Sequence, residues 1–99
     1  MKNGRLKQIV AVISKNIEYL RDTYNVKVIG IFGSTVHGDY VSGSDVDILV
    51  ELSQPVGFFK FIELEDYLSK ILGRKVDLVT KKALKPFIKK EVLKETVFV

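Results

Sequence analysis

Apolar and polar residues alternate along the chain with periods that predict helices and strands. Near the beginning, apolar residues recur every three or four positions, the period of an amphipathic helix, and predict a helix over about residues 5–23. A second helical pattern ends near Leu72, with Gly73 as its stop. Its expected beginning has Ser53 as cap and Pro55 in the first turn.

Three short apolar runs are typical of strands that are covered on both faces. They occupy residues 26–32, 45–52 and 74–80. Between the first two runs, Ser34 is well placed as the N-cap of a short helix that runs to about Tyr40. The residues that follow this helix have the composition of a loop.

A last helix is predicted beyond residue 84, with Pro86 in its first turn, because a proline inside a helix costs roughly 3 kcal/mol. The element order is then α-β-α-β-α-β-α, which predicts an α/β (α+β) fold: a small sheet packed with helices. Long helical crossovers permit parallel strand pairs, and the short link between the first two strands permits an antiparallel pair. We therefore expect a mixed sheet.

Length and composition narrow the class of protein. With 99 residues, of which 46% are hydrophobic, the chain can bury one core, and we expect a single domain over residues 1–99. No apolar run approaches the ~20 residues that span a membrane, and the charged beginning does not resemble a signal peptide. Cysteine is absent, which excludes disulfides and thiolate metal sites, so a cytoplasmic protein is expected. The net charge of +4 suits nucleotide phosphates, an acidic partner or nucleic acid.

Candidate chemistry begins with two carboxylates one residue apart. On a strand, Asp45 and Asp47 would point to the same side, with Cα atoms roughly 6.5–7 Å apart, and would repel each other unless a cation lay between them. Oxygen ligands without His or Cys suit Mg²⁺. A third carboxylate is wanted to hold two ions, and Asp77, in a similar apolar strand, is the candidate. As alternatives, Asp45 closes a turn and Asp77 is an ordinary strand-edge residue.

The second candidate feature is a Gly-Ser turn. Gly33 lets the backbone turn sharply, and Ser34 at a helix start adds a hydroxyl to backbone N–H groups that attract anions. A lone Gly-Ser pair is more often an ordinary cap. Here ten residues separate Ser34 from the first residue of Asp45-x-Asp47, and this spacing makes the pattern specific.

At that spacing, the chain resembles the signature of the DNA polymerase β-like nucleotidyltransferase superfamily, and most of all its minimal nucleotidyltransferase (MNT) group. The resemblance covers nearly the whole chain and implies the polymerase β-like fold. It implies that Gly33 and Ser34 hold the β- and γ-phosphates of ATP. It also implies that Asp45 and Asp47 ligate two Mg²⁺ ions, and that Asp77 assists the ion at the nucleophile and acts as its base. MNT proteins often act as antitoxins of HEPN-family toxins, by adding AMP to a toxin tyrosine or by binding alone.

One position departs from the family pattern, since His37 stands where the family often has Arg. Arg is always charged and grips phosphate in a fork, whereas His is near neutral at pH 7. The alternative interpretation is a partly exposed surface histidine. His37 keeps open a second function, a catalytically weak relative that neutralises a toxin by binding alone.

Size and the C-terminal residues raise further expectations about partners. The chain has no second domain for an acceptor, so we expect another chain to complete that site, in a homodimer or a hetero-oligomer. Residues 97–99 either join that contact or dock on the sheet. The Lys-rich segment over residues 81–94 is either a solvated helix face or a contact for an acidic partner or RNA. No aromatic residues interleave with these lysines, so direct nucleic-acid binding, the third functional alternative, is not supported.

Overall fold

The computed structural model describes residues 4–38 and 45–99. Its helices are α1 (Gly4–Lys15), α2 (Ile17–Tyr24), α3 (Ser34–His37), α4 (Phe58–Leu72) and α5 (Pro86–Glu95), and its strands are β1 (Val26–Phe32), β2 (Val46–Leu52), β3 (Val76–Thr80) and β4 (Val97–Phe98). One 3₁₀ turn, Lys81–Ala83, follows β3. None of the helices in the described part of the chain is long and apolar enough to cross a membrane.

The strands form one mixed sheet in the order β3-β2-β1-β4. β1 runs antiparallel to both β2 and β4, whereas β2 and β3 are parallel. The parallel strands β2 and β3 are joined by α4, because a parallel connection requires a crossover. The antiparallel strands β1 and β2 need no such crossover. The predicted α/β fold with a mixed sheet is confirmed.

The core lies between the sheet and the helices α1, α2 and α4. These three helices bury one stripe each, because their apolar residues recur with the helical period. The buried side chains of this cluster include Ile9, Ile13, Leu20, Tyr24, Ile31, Ile48, Leu64 and Leu68. The helices therefore cover one face of the sheet.

The first predicted helix is two helices, separated at Asn16. The Asn16 side chain donates from Nδ2 to the Val12 carbonyl at 2.8 Å and accepts from the Tyr67 hydroxyl at 2.8 Å. Asparagine side chains compete for backbone hydrogen bonds in this way. The Asn16 backbone is not helical, with φ −108° and ψ 10°. The prediction of one continuous helix over residues 5–23 is therefore wrong.

The beginning of α4 also differs from the prediction. The residue before the helix is Gly57, and Pro55 lies outside the helix. The Ser53 hydroxyl donates to the carbonyl of Asn25 at 3.3 Å, so Ser53 joins the end of β2 to the start of β1 and is not a cap. The end of α4 follows the prediction, because Gly73 adopts the left-handed conformation with φ 66°.

The C-terminal residues dock on the sheet, as one of the two alternatives predicted. Val97 and Phe98 pair with Ile31 and Gly30 of β1, and the Val99 N–H donates to the carbonyl of Ile29 at 2.9 Å. Gly30 permits this contact, because a Cβ there would lie 2.5 Å from the methyl carbon of Thr96. Pro86 occupies the first turn of α5, as predicted.

Candidate active site

The strand register brings two of the candidate carboxylates side by side. Asp47 on β2 pairs with Asp77 on β3, and its other neighbour is Phe32 at the end of β1. Neighbouring strands lie about 4.8 Å apart, and paired residues point to the same face. Val46, between the two aspartates of the motif, is fully buried on the core side. The carboxylates therefore lie on the face opposite the core.

Asp45 lies just before β2, because the strand begins at Val46 rather than at residue 45 as predicted. It nevertheless belongs electrostatically to the same group. Burial raises the pKa of the Asp47 carboxyl above its usual range, and the negative charges of Asp77 and Asp45 raise it further. Asp47 is therefore close enough to both other aspartates for their negative charges to oppose its ionisation.

Gly33 turns the chain at the end of β1, directly against Asp47. Its backbone, with φ 76° and ψ −150°, occupies a region open almost only to glycine. A Cβ at this position would clash with the Oδ2 atom of Asp47. The missing side chain therefore makes room for the carboxylate beside the turn.

Gly33 also occupies the cap position of α3, and Ser34 is the first helical residue rather than the cap that was predicted. The Gly33 carbonyl accepts hydrogen bonds from the N–H groups of Val36 and His37. The cap of α3 makes no side-chain hydrogen bond. The helix ends at His37, with Gly38 in the left-handed conformation, so it stops short of the predicted end at about Tyr40; residues 39–44, which include the predicted loop, lie outside the described residues.

His37 has a partner that the sequence did not indicate. Its Nε2 atom lies 2.8 Å from Oε2 of Glu95, at the end of α5. The imidazole is half exposed, so it is a surface histidine as the alternative interpretation held, but one that joins α3 to α5. No local pattern could have predicted this pair, because the two residues lie far apart in the sequence.

The donor atoms of the site fit a hard divalent cation. Its candidate ligands are carboxylate oxygens, which Mg²⁺ prefers. Within residues 4–38 and 45–99, no three Asp, Glu, His or Cys side chains are already gathered as a metal cluster. Burial raises the pKa of Asp47 most, and the negative charges of Asp77 and Asp45 raise it further; a cation between the carboxylates would relieve that repulsion.

Comparison with known proteins agrees with this fold. A mixed sheet packed with helices is the fold of the polymerase β-like minimal nucleotidyltransferases. The family model described as "Nucleotidyltransferase domain" matches residues 13–99, and the chain belongs to this family. It is therefore an enzyme of the nucleotidyltransferase class.

Individual relatives are similar over most of their length. Protein adenylyltransferase MntA of Thermococcus cleftensis is 46% identical over 94 residues, which cover 95% of each chain. Among solved structures, a toxin–antitoxin complex with AMP-PNP has a TM-score of 0.71 and 28% identity, covering 86% of this chain and 69% of the other. The MntA–HepT toxin–antitoxin complex has a TM-score of 0.65 and 25% identity, covering 89% of this chain and 68% of the other.

Proposed function

We propose that this protein transfers AMP from ATP to a tyrosine hydroxyl of a HEPN-type toxin and so acts as the antitoxin of a toxin–antitoxin pair. The observation that carries the proposal is the contact between the Gly33 turn and Asp47, which is itself paired with Asp77. The similarity to a protein adenylyltransferase and to toxin–antitoxin complexes supports it. We place the reaction in the cytoplasm.

In this proposal, Gly33 and Ser34 bind the β- and γ-phosphates of ATP. The first N–H groups of a helix have no carbonyl partner within the helix, and they attract negative charge. Ser34 is the first residue of α3, so its backbone N–H and hydroxyl lie where the chain leaves β1. Because Gly33 contacts Asp47, phosphates bound at the turn lie next to the carboxylates.

Asp45, Asp47 and Asp77 are proposed to hold two Mg²⁺ ions. Bound Mg²⁺ would neutralise phosphate charge and favour ionisation of the attacking hydroxyl. The acceptor oxygen forms a bond to the α-phosphorus, and the bond from that phosphorus to pyrophosphate breaks. Asp77 is exposed at the beginning of β3, and we assign it the role of taking the proton from the acceptor hydroxyl.

The test is transfer of label from ATP labelled at the α-phosphate to the product of the neighbouring gene, in the presence of Mg²⁺. We expect label on that protein with the natural sequence and none above background with Asp47→Asn. Asp22→Asn, an exposed aspartate on α2, is the matched control and should label the partner normally. Absence of label with the natural sequence, or equal labelling by Asp47→Asn, would show that the proposal is wrong.

A second candidate function is neutralisation by binding alone. The observation that favours it is the His37–Glu95 pair, because an imidazole already bonded to a carboxylate is a poor substitute for an arginine that grips phosphate. In that case the Asp45→Asn/Asp47→Asn double variant should protect cells from the toxin as well as the natural sequence does. Loss of protection in that variant would favour the transferase.

A further inference from the structure

A cleft lies at the end of the sheet away from the candidate carboxylates. It has a volume of about 700 Å³ and is lined by the end of β2, the end of β3, the start of α4 and one residue of α5. Glu51, in this cleft, follows Asp47 on β2 by four residues, or roughly 13 Å at ~3.3 Å per residue. We call it the cationic cleft, after the four lysines that line it: Lys27, Lys81, Lys82 and Lys89.

The charges of the cationic cleft are not balanced. Among the residues that line it, Glu51 is the one carboxylate, and its oxygens lie 3.9 Å from Nζ of Lys27 and 3.7 Å from Nζ of Lys81. Within the described part of the chain, Lys82 and Lys89 form no ion pair. The cleft therefore keeps a positive excess, and Glu51 shows how a carboxylate fits between its lysines.

The same cleft exposes large apolar side chains. Val56 and Phe61 are half-buried in its lining, and Phe58 is 72% exposed beside them. Phe59, adjacent to the cleft, is 85% exposed. Exposed aromatic residues grouped next to a pocket are typical anchors of protein interfaces. A matching ligand carries both negative charge and apolar groups.

We propose that the cationic cleft binds an acidic segment of a partner protein, in which carboxylates alternate with apolar side chains. The carboxylates would pair with Lys82 and Lys89, and the apolar side chains would pack on Phe58 and its neighbours. The rings of Phe58 and Phe59 meet edge-on, at 70° and 5.6 Å, and so do not form the parallel platform on which nucleobases stack. This geometry favours a protein over a nucleic acid.

The proposal rests on the proposed function only in that both require a protein partner. It adds a place of contact that is separate from the carboxylates. A partner held at the cationic cleft would remain bound when the transfer chemistry is removed. That independence allows the two proposals to fail separately.

The experiment uses fluorescence anisotropy with the full chain and a fluorescently labelled synthetic peptide in which Glu and Leu residues alternate. We expect saturable binding that weakens by about tenfold or more in Lys82→Glu/Lys89→Glu and in Phe58→Ser. Lys7→Glu/Lys15→Glu, which reverses two exposed charges on α1, is the matched control and should bind like the natural sequence. Asp47→Asn should also bind normally, and melting temperatures verify that each variant is folded.

Three outcomes would overturn the proposal. In the first, the peptide does not bind. In the second, Lys7→Glu/Lys15→Glu weakens binding as much as Lys82→Glu/Lys89→Glu does. In the third, single-stranded oligouridylate binds instead, with the same dependence on Lys82 and Lys89. If AMP transfer proceeds while the peptide fails to bind, the cleft proposal alone is lost. If the peptide binds while no transfer occurs, the proposed function alone is lost.

Discussion

Replacing Gly33 by alanine tests whether the turn and the carboxylate act as one unit. The new Cβ meets two obstacles. The backbone at φ 76° and ψ −150° is strained for any residue with a side chain, by about 1–3 kcal/mol. The Cβ also clashes with the Asp47 carboxylate, so that side chain must move.

The expected consequences are a loss of stability and a larger loss of activity. For a domain of this size, each kcal/mol lowers the melting temperature by about 4–8 °C. A misplacement of about 1 Å at a reacting group can cost roughly a hundredfold in rate. We therefore expect Gly33→Ala to melt several degrees lower and to transfer AMP about a hundredfold more slowly, measured below its melting temperature.

Gly73→Ala is the matched control for this experiment. Gly73 also has a positive φ, 66°, but a Cβ there would meet no atom within 4 Å. It should cost about 1–2 kcal/mol of stability and leave the transfer rate unchanged. If Gly33→Ala is folded and transfers AMP at the natural rate, or if both variants lose activity equally, Gly33 does not make room for a catalytic carboxylate.

Three further predictions concern stability. Because the raised pKa means that the folded protein holds the Asp47 proton more tightly than the unfolded chain does, ionised Asp47 destabilises the fold. In urea unfolding at pH 7, Asp47→Asn should therefore be more stable than the natural sequence. This gain in the free energy of unfolding should vanish below the ordinary aspartate pKa of about 3.9. Equal urea midpoints for the two proteins at pH 7 would contradict the burial argument. Asn16→Ala removes the acceptor of the Tyr67 hydroxyl and should lower the free energy of unfolding by about 1 kcal/mol. Adding Tyr67→Phe to that variant should restore part of this loss. If the two substitutions have strictly additive effects on stability, the side chains are not coupled. Gly30→Ala should lower the free energy of unfolding by about 1–3 kcal/mol, because its methyl group would crowd β4. Thr96→Ser deletes the methyl group nearest to that position, so adding it should recover part of the lost stability in thermal unfolding. No recovery would mean that the clash lies elsewhere.

The sequence predicted the elements whose periodicity is long or whose chemistry is distinctive. β1, β2 and β3 were recognisable as apolar runs, and Asp47 and Asp77 as carboxylates within them. The intervening helix permits the parallel pairing of β2 and β3, but the register that places Asp47 beside Asp77 is known only from the structure. The roles of these residues in binding and catalysis stay predictions.

The features that the sequence did not predict depend on single hydrogen bonds or on distant residues. The helix breaks at Asn16 because its side chain bonds to the Val12 carbonyl and to the Tyr67 hydroxyl. The apolar pattern on either side of Asn16 is that of one continuous amphipathic helix, so it does not show the break. β4 contains two residues, too few to show a period. The bond between His37 and Glu95 exists only after α5 has packed near α3, which no local pattern reports.

The pairing of β4 with β1 has a consequence for the order of folding. Bringing Phe98 beside Gly30 closes about two thirds of the chain into one loop, yet this closure gains only a two-residue strand. Loop closure of that length is entropically costly, so we expect this pairing to form last and to open first. Glu95 ends α5 two residues before β4, and we expect each opening of β4 to release His37. The lifetime of this short strand therefore sets how long the histidine beside the Gly33 turn stays bonded to its partner.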